Sequence, residues 1–111
     1  MAQNFRRYTL NAVGTAAADI PDGANFDSFD TIVGIHLANV TANAVTVEVY
    51  INDGTNDIHL IKDAPIASGG ALQVLDGGAK VVVQSGDRMY VKSSVNSSVD
   101  VWVSAVDAIS S

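Results

Sequence analysis

The clearest pattern in the chain is strict alternation over residues 45–51. Val45, Val47, Val49 and Ile51 fall on one face, and Thr46, Glu48 and Tyr50 on the other. A period of two residues suits a half-buried strand and is useless to a helix. The polar run Asn52-Asp53-Gly54-Thr55-Asn56-Asp57 follows. Its residues tolerate left-handed backbone or bond their own main chain, so it predicts a tight turn. A second strand then completes a hairpin over 45–66, around which the other strands are expected to add.

The remaining segments repeat this alternation in shorter form. Residues 4–13 predict a strand with Phe5, Tyr8 and Leu10 as its apolar content, in imperfect parity. Gly14 and Thr15 break it, and 16–20 fits a short strand or one helical turn. Pro21-Asp22-Gly23 signals a turn that opens a loop over 21–28. Residues 29–40 predict a long strand, with Phe29, Thr31, Val33, Ile35 and Leu37 on one face and Ile32, Gly34, His36 and Ala38 on the other. Both faces are largely apolar, as in a central strand covered on both sides or at a subunit interface. Gly34 is expected to mark a bulge or a close backbone approach. Asp63-Ala64-Pro65 is expected to end the second hairpin strand, because Pro cannot donate to a ladder.

Further strands are expected over 71–75, 80–84 and 88–94, separated by Ser68-Gly69-Gly70, Asp76-Gly77-Gly78 and Ser85-Gly86-Asp87. Val81-Val82-Val83 suggests burial on both faces. In 88–94, Met89, Val91 and Ser93 fall inward, and Tyr90 and Lys92 outward. Asn96-Ser97-Ser98 is expected to close a last hairpin onto a strand carrying Val99, Val101, Val103 and Ala105, with a frayed tail over 107–111. The sum is about eight or nine short strands with no helix. This predicts an all-β fold, an antiparallel β-sandwich or jelly-roll-like barrel, as a single domain over 1–111.

Composition agrees with strands. The chain has 111 residues and is 48% hydrophobic, enough for one modest core. Val outweighs Leu, and of the twelve acidic residues only Glu48 is a Glu; both biases disfavour helices. The net charge of −6 repels phosphate, so nucleic acid and anionic membranes are not expected partners. No Lys or Arg stands between Arg7 and Lys62, which makes that stretch either a solvated acidic surface or a patch that docks on a basic partner. There are no cysteines, which excludes disulfides and thiolate metal sites. The first ten residues lack the apolar core of a secretory signal, and no run is long enough to span a membrane as a helix.

Chemistry is sparse. His36 and His59 lie in predicted strands without ligand spacing. No serine sits in a nucleophile elbow, and Glu48 has no acidic partner nearby. The 52–57 turn carries oxygen ligands that would suit Ca²⁺, but its spacing is not that of a calcium loop. No catalytic, cofactor-binding or metal residue is assigned, no cofactor is implied, and the chain is not expected to be an enzyme.

The candidates that remain are surface residues. Tyr50, Tyr90 and Trp102 all take the parity opposite to their strands' apolar face. They cover the other sheet face or are singly exposed, form an interface, or stack a sugar; Tyr90 and Trp102 belong to one predicted hairpin, which would bring them near each other. Arg6 and Arg7 are solubilising charge or an arm that contacts a neighbour. Arg6, Arg7, Glu48, Tyr50, Tyr90 and Trp102 are the candidate interface set, with Glu48→Lys expected to weaken assembly if that face docks.

Several segments together resemble a family. Asn4-Phe5-Arg6-Arg7-Tyr8-Thr9 followed by Asn11-Ala12-Val13-Gly14 is similar to the start of small virion structural proteins of tailed bacteriophages, marine and cyanobacterial ones in particular. Gly34-Ile35-His36-Leu37-Ala38-Asn39, Ile61-Lys62-Asp63-Ala64-Pro65-Ile66, the 71–75 strand and Ser85-Gly86-Asp87 fit the same succession. The resemblance implies a β-sandwich displayed on the particle, as a capsid decoration or cement protein. Its expected partners are the major capsid protein and further copies of itself, with a trimer favoured because trimers suit the local three-fold axes of a shell. The expected location is the virion, assembled in the host cytoplasm. The alternatives are a tail, baseplate or fibre-associated component, or a carbohydrate-binding module using Tyr90 and Trp102.

Overall fold

A computed structural model describes residues 4–20, 30–75, 81–84 and 86–107. The expected turns at Pro21-Asp22-Gly23 and Asp76-Gly77-Gly78, the loop over 21–28, Phe29, Lys80, Ser85 and the tail beyond 107 lie outside them. The described chain is all strand and turn: β1 Asn4–Val13, β2 Ala18–Ile20, β3 Asp30–Asn39, β4 Val45–Asn52, β5 Asp57–Ile66, β6 Ala71–Leu75, β7 Val81–Val83, β8 Arg88–Ser93 and β9 Val99–Asp107.

Two antiparallel sheets form. The first has the order β1-β9-β3-β6, with β7 also paired to β3; the second has the order β2-β8-β4-β5. The pairs β4·β5, β3·β6, β2·β8 and β1·β9 are nested one inside the next. The chain is thus a long two-stranded ribbon whose tip is the 52–57 turn. Side-by-side pairing of β9 with β3 and of β8 with β4 rolls the ribbon up. With β7 set aside, this is the order of a jelly roll.

The rolling is driven by the alternating apolar positions. Ile32, Ile35 and Leu37 of β3 and Val99, Val101 and Val103 of β9 meet Val47 and Val49 of β4 and Met89 and Val91 of β8 between the sheets. The inward set expected for β4, β8 and β9 is the observed one. In β3 the parity changes. A bulge between Ile32 and Gly34 inserts an extra residue, so Ile32 and Ile35 both face the core and Thr31 and Val33 do not. Gly34 lies at that bulge, as its lack of a side chain suggested. A second bulge between Leu10 and Val13 explains the broken parity of β1; Ala12 there is left-handed, with φ 55°.

Three expectations change. Val82 is 68% exposed, because β7 pairs along β3 with only one face on the core. Pro65 does not end β5, which runs on to Ile66; β5 is an edge strand, where a missing donor costs little. Most consequential, β8 and β9 are not a hairpin. The 94–98 segment carries the chain from the second sheet to the first, and buried hydrogen bonds hold it there. Ser98 donates its backbone N–H to the Val13 carbonyl at 3.0 Å and its hydroxyl to the Val95 carbonyl at 2.6 Å. Gly14 packs under this segment, and a Cβ there would lie 3.1 Å from Asn96 Cα.

Asn39, buried at the end of β3, ties two loops together. Its Nδ2 donates to the carbonyls of Asn43, Ile66 and Ala67, and its Oδ1 accepts from the Thr41 N–H and hydroxyl. A buried amide with every group paired fixes both crossings between the sheets at that end.

Candidate functional site

The fold divides the candidate residues between two opposite outer faces. Tyr50 and Glu48 stand outward on β4, and Tyr90 and Lys92 on β8, all on the second sheet. The antiparallel register places Tyr50 opposite Tyr90 and, on its other side, opposite His59 of β5. The three rings form a ladder across the sheet. Tyr50 stacks on Tyr90 with centroids 5.2 Å apart and planes 22° apart, and meets His59 at 5.0 Å and 39°. Such cross-strand aromatic contacts stabilise by about 0.5–1.5 kcal/mol beyond burial.

Charges frame the ladder. His59 Nε2 lies 3.3 Å from Glu48 Oε2. At the other end Arg88 Nη1 lies 3.4 Å from Asp19 Oδ2, with Asp19 opposite Tyr90. The Tyr50 hydroxyl is held above the usual tyrosine range, first because the ring is desolvated, then because Asp57, Glu48 and Tyr90 disfavour a phenolate beside them. Tyr50 is therefore a neutral phenol at physiological pH.

Trp102 lies elsewhere. It points out from β9 on the first sheet, opposite Thr9 and His36, and is 49% exposed. Arg7 of β1 reaches over it, with Cζ 5.4 Å from the ring centroid, a cation–π arrangement favoured for Arg over Trp. The expectation that Tyr90 and Trp102 stand side by side is overturned, and with it the sugar platform built on that pair. The tyrosine faces on the second sheet are in any case turned onto each other. Arg6 lies on β1, paired with Ala105; its side chain is outside the described residues.

The 52–57 turn spends its polar groups on itself. Gly54, with φ 97°, allows the reversal. Asn52 Oδ1 accepts from the Gly54 N–H, and Asp53 Oδ1 accepts from the Thr55 and Asn56 N–H groups. These bonds hold the Asp53 carboxyl below the usual range, the Asn56 contact most of all. Among the described residues no three His, Asp or Glu side chains form a group that could hold a metal ion. Comparison with known protein families and with curated proteins finds no match to the chain.

Two features escaped the sequence reading. His59 belongs to the ring ladder, and counting outward from the turn would have found it, since pairing 52 with 57 places 50 opposite 59. Asp63 stands in a bulge of β5, and no residue pattern announces that.

Proposed function

We propose that the protein is a structural component of a bacteriophage virion, a decoration or cement protein that binds the head shell and stabilises it by surface burial. The observation that carries this reading is the outer face of the β1-β9-β3-β6 sheet. At its centre Trp102 is half exposed beside Thr9 and His36, with Ser104 and Gly34 in the row on one side and Asp100 and Ala38 in the row on the other. Arg7 lies over the indole. Protein contact surfaces are depleted of charge at their centre and enriched in Trp and Arg, which bury area and keep a polar handle. The opposite sheet carries Asp19, Glu48, Arg88 and Lys92 and suits solvent.

The jelly-roll order adds support, since viral shell proteins use it, though so do lectins and cupins. The direction comes from the sequence resemblance to tailed-phage virion proteins. On this reading the protein is not an enzyme and takes no cofactor, nucleic acid or membrane. Its partners are the major capsid protein and further copies of itself, as a trimer, within the virion. A tail, baseplate or fibre position is the runner-up. Counting copies per purified particle separates the two: hundreds support the shell, and a handful moves the protein to the tail. Particles lacking it should break open at lower temperature, and Trp102→Ala should reproduce that loss; particles of unchanged stability would sink the cement role.

A further inference from the structure

One hollow on the second sheet lies away from the surface just discussed. It measures about 180 Å³, and Thr46, Glu48, Asp63, Lys92 and Ser94 are among the residues that line it. A bulge opens it. Between Val47↔Ala64 and Val49↔Ile61, β4 supplies only Glu48 while β5 supplies Lys62 and Asp63. Asp63 takes a left-handed backbone, φ 54°, which carries a modest strain relative to Gly and marks the bulge.

Two of the three charged groups around the hollow, Lys92 and Asp63, are unspent, and Glu48 engages one carboxylate oxygen only. Lys92 is directly opposite Glu48 in register, yet the Glu48 carboxylate turns to His59 instead. Lys92 and Asp63 have no side-chain hydrogen bond or ion pair among the described residues. The Ser94 hydroxyl oxygen accepts from the Thr46 N–H at 3.0 Å, which leaves its proton free to donate. The hollow therefore offers two carboxylates, one ammonium and two hydroxyls. An anion meets both carboxylates and a cation meets the ammonium. A neutral polyhydroxylated ring satisfies all of them, because each hydroxyl donates and accepts at once. The volume is below that of a drug-sized pocket and suits a single sugar residue. We propose that this hollow is a saccharide subsite, in which Glu48 and Asp63 accept from neighbouring sugar hydroxyls and Lys92 and Ser94 donate to them. The site is independent of the assembly surface, which lies on the other sheet.

The test is an amide-resolved NMR titration of the protein with the methyl glycosides of glucose, galactose, mannose and N-acetylglucosamine, alongside a glycan array. The array separates a free sugar from the end of a surface polysaccharide. The expected result is shift changes confined to residues 46–48, 62–64 and 92–94, with roughly millimolar affinity. Lys92→Met and Glu48→Gln each weaken it about tenfold or more, the scale of one hydrogen bond to a charged group. Asp63→Gly is the sharpest variant, since it relieves the left-handed strain: it should raise the melting temperature while weakening binding. Trp102→Ala leaves binding unchanged. The proposal is overturned if no glycoside or array glycan binds, if shifts centre on Trp102, or if glycine or acetate moves the same amides as strongly as the sugars do.

Discussion

Tyr90 and Trp102 sit on consecutive strands and face away from opposite sides of the protein. Tyr90 stacks on Tyr50 in the second sheet, whereas Trp102 lies under Arg7 in the first. Two surfaces of different character are thus available to one small chain, and single substitutions can address them separately.

The first prediction uses that separation. Trp102→Ala removes a half-exposed ring and should change the unfolding free energy by no more than about 1 kcal/mol, while abolishing attachment to the particle in a co-sedimentation assay. Glu48→Lys, on the other sheet, should leave attachment intact. The reverse outcome would move the docking surface to the tyrosine ladder.

Asn39→Ala should cost about 2–4 kcal/mol in urea unfolding. It removes the donor to the buried Ile66 carbonyl and the acceptor of the part-buried Thr41 N–H, and each orphaned group costs about 1–3 kcal/mol; the Ala67 carbonyl keeps the Gly70 N–H. Asn39→Asp should be no better, because a carboxylate cannot donate to those carbonyls. A loss under 1 kcal/mol would mean that the two loops hold themselves.

Gly14→Ala tests the crossing from β8 to β9. Its Cβ would press on the Asn96 and Ser97 backbone at 3.1 and 3.2 Å, which has little room to yield. The expected loss is about 1–3 kcal/mol, visible as a lower urea midpoint with an unchanged slope.

The Tyr50 hydroxyl gives a pH signature. Its proton is held more tightly in the folded protein than in the unfolded chain. The corresponding stability is fully present below the ordinary tyrosine value near 10 and is lost as pH rises through the higher folded value. Urea midpoints should fall across that alkaline range, and Tyr50→Phe should flatten the fall.

Most of the strand plan was legible because alternation is a local property. Val45 to Ile51, Met89 to Ser93 and Val99 to Ala105 each report their own inward face without reference to a partner. What failed was whatever depended on the partner. The bulge after Ile32 is set by the register of β3 on β9, so the parity of Thr31 and Val33 was misread from β3 alone. The 94–98 turn has ordinary hairpin composition. That it changes sheets follows from hydrogen bonds to Val13, more than eighty residues earlier. The candidate residues on β4, β8 and β9 were recognisable as outward-facing, yet their sorting onto two sheets was not, since parity names a face without saying which sheet owns it.

The nested pairing has a consequence for how the protein is made. β9 is the last of the described strands to leave the ribosome, yet it lies between β1 and β3. Until it emerges, the first sheet has no middle: β1 has lost its neighbour, and the core offered by Val47, Val49 and Val91 has no lid. The innermost hairpin can close within microseconds of synthesis, but the outermost pair joins the two ends of the described chain, the slowest kind of contact to form. A growing chain must therefore carry its apolar faces uncovered until β9 has emerged. Removing β9 would strip both sheets of their shared core and would not merely shorten one edge.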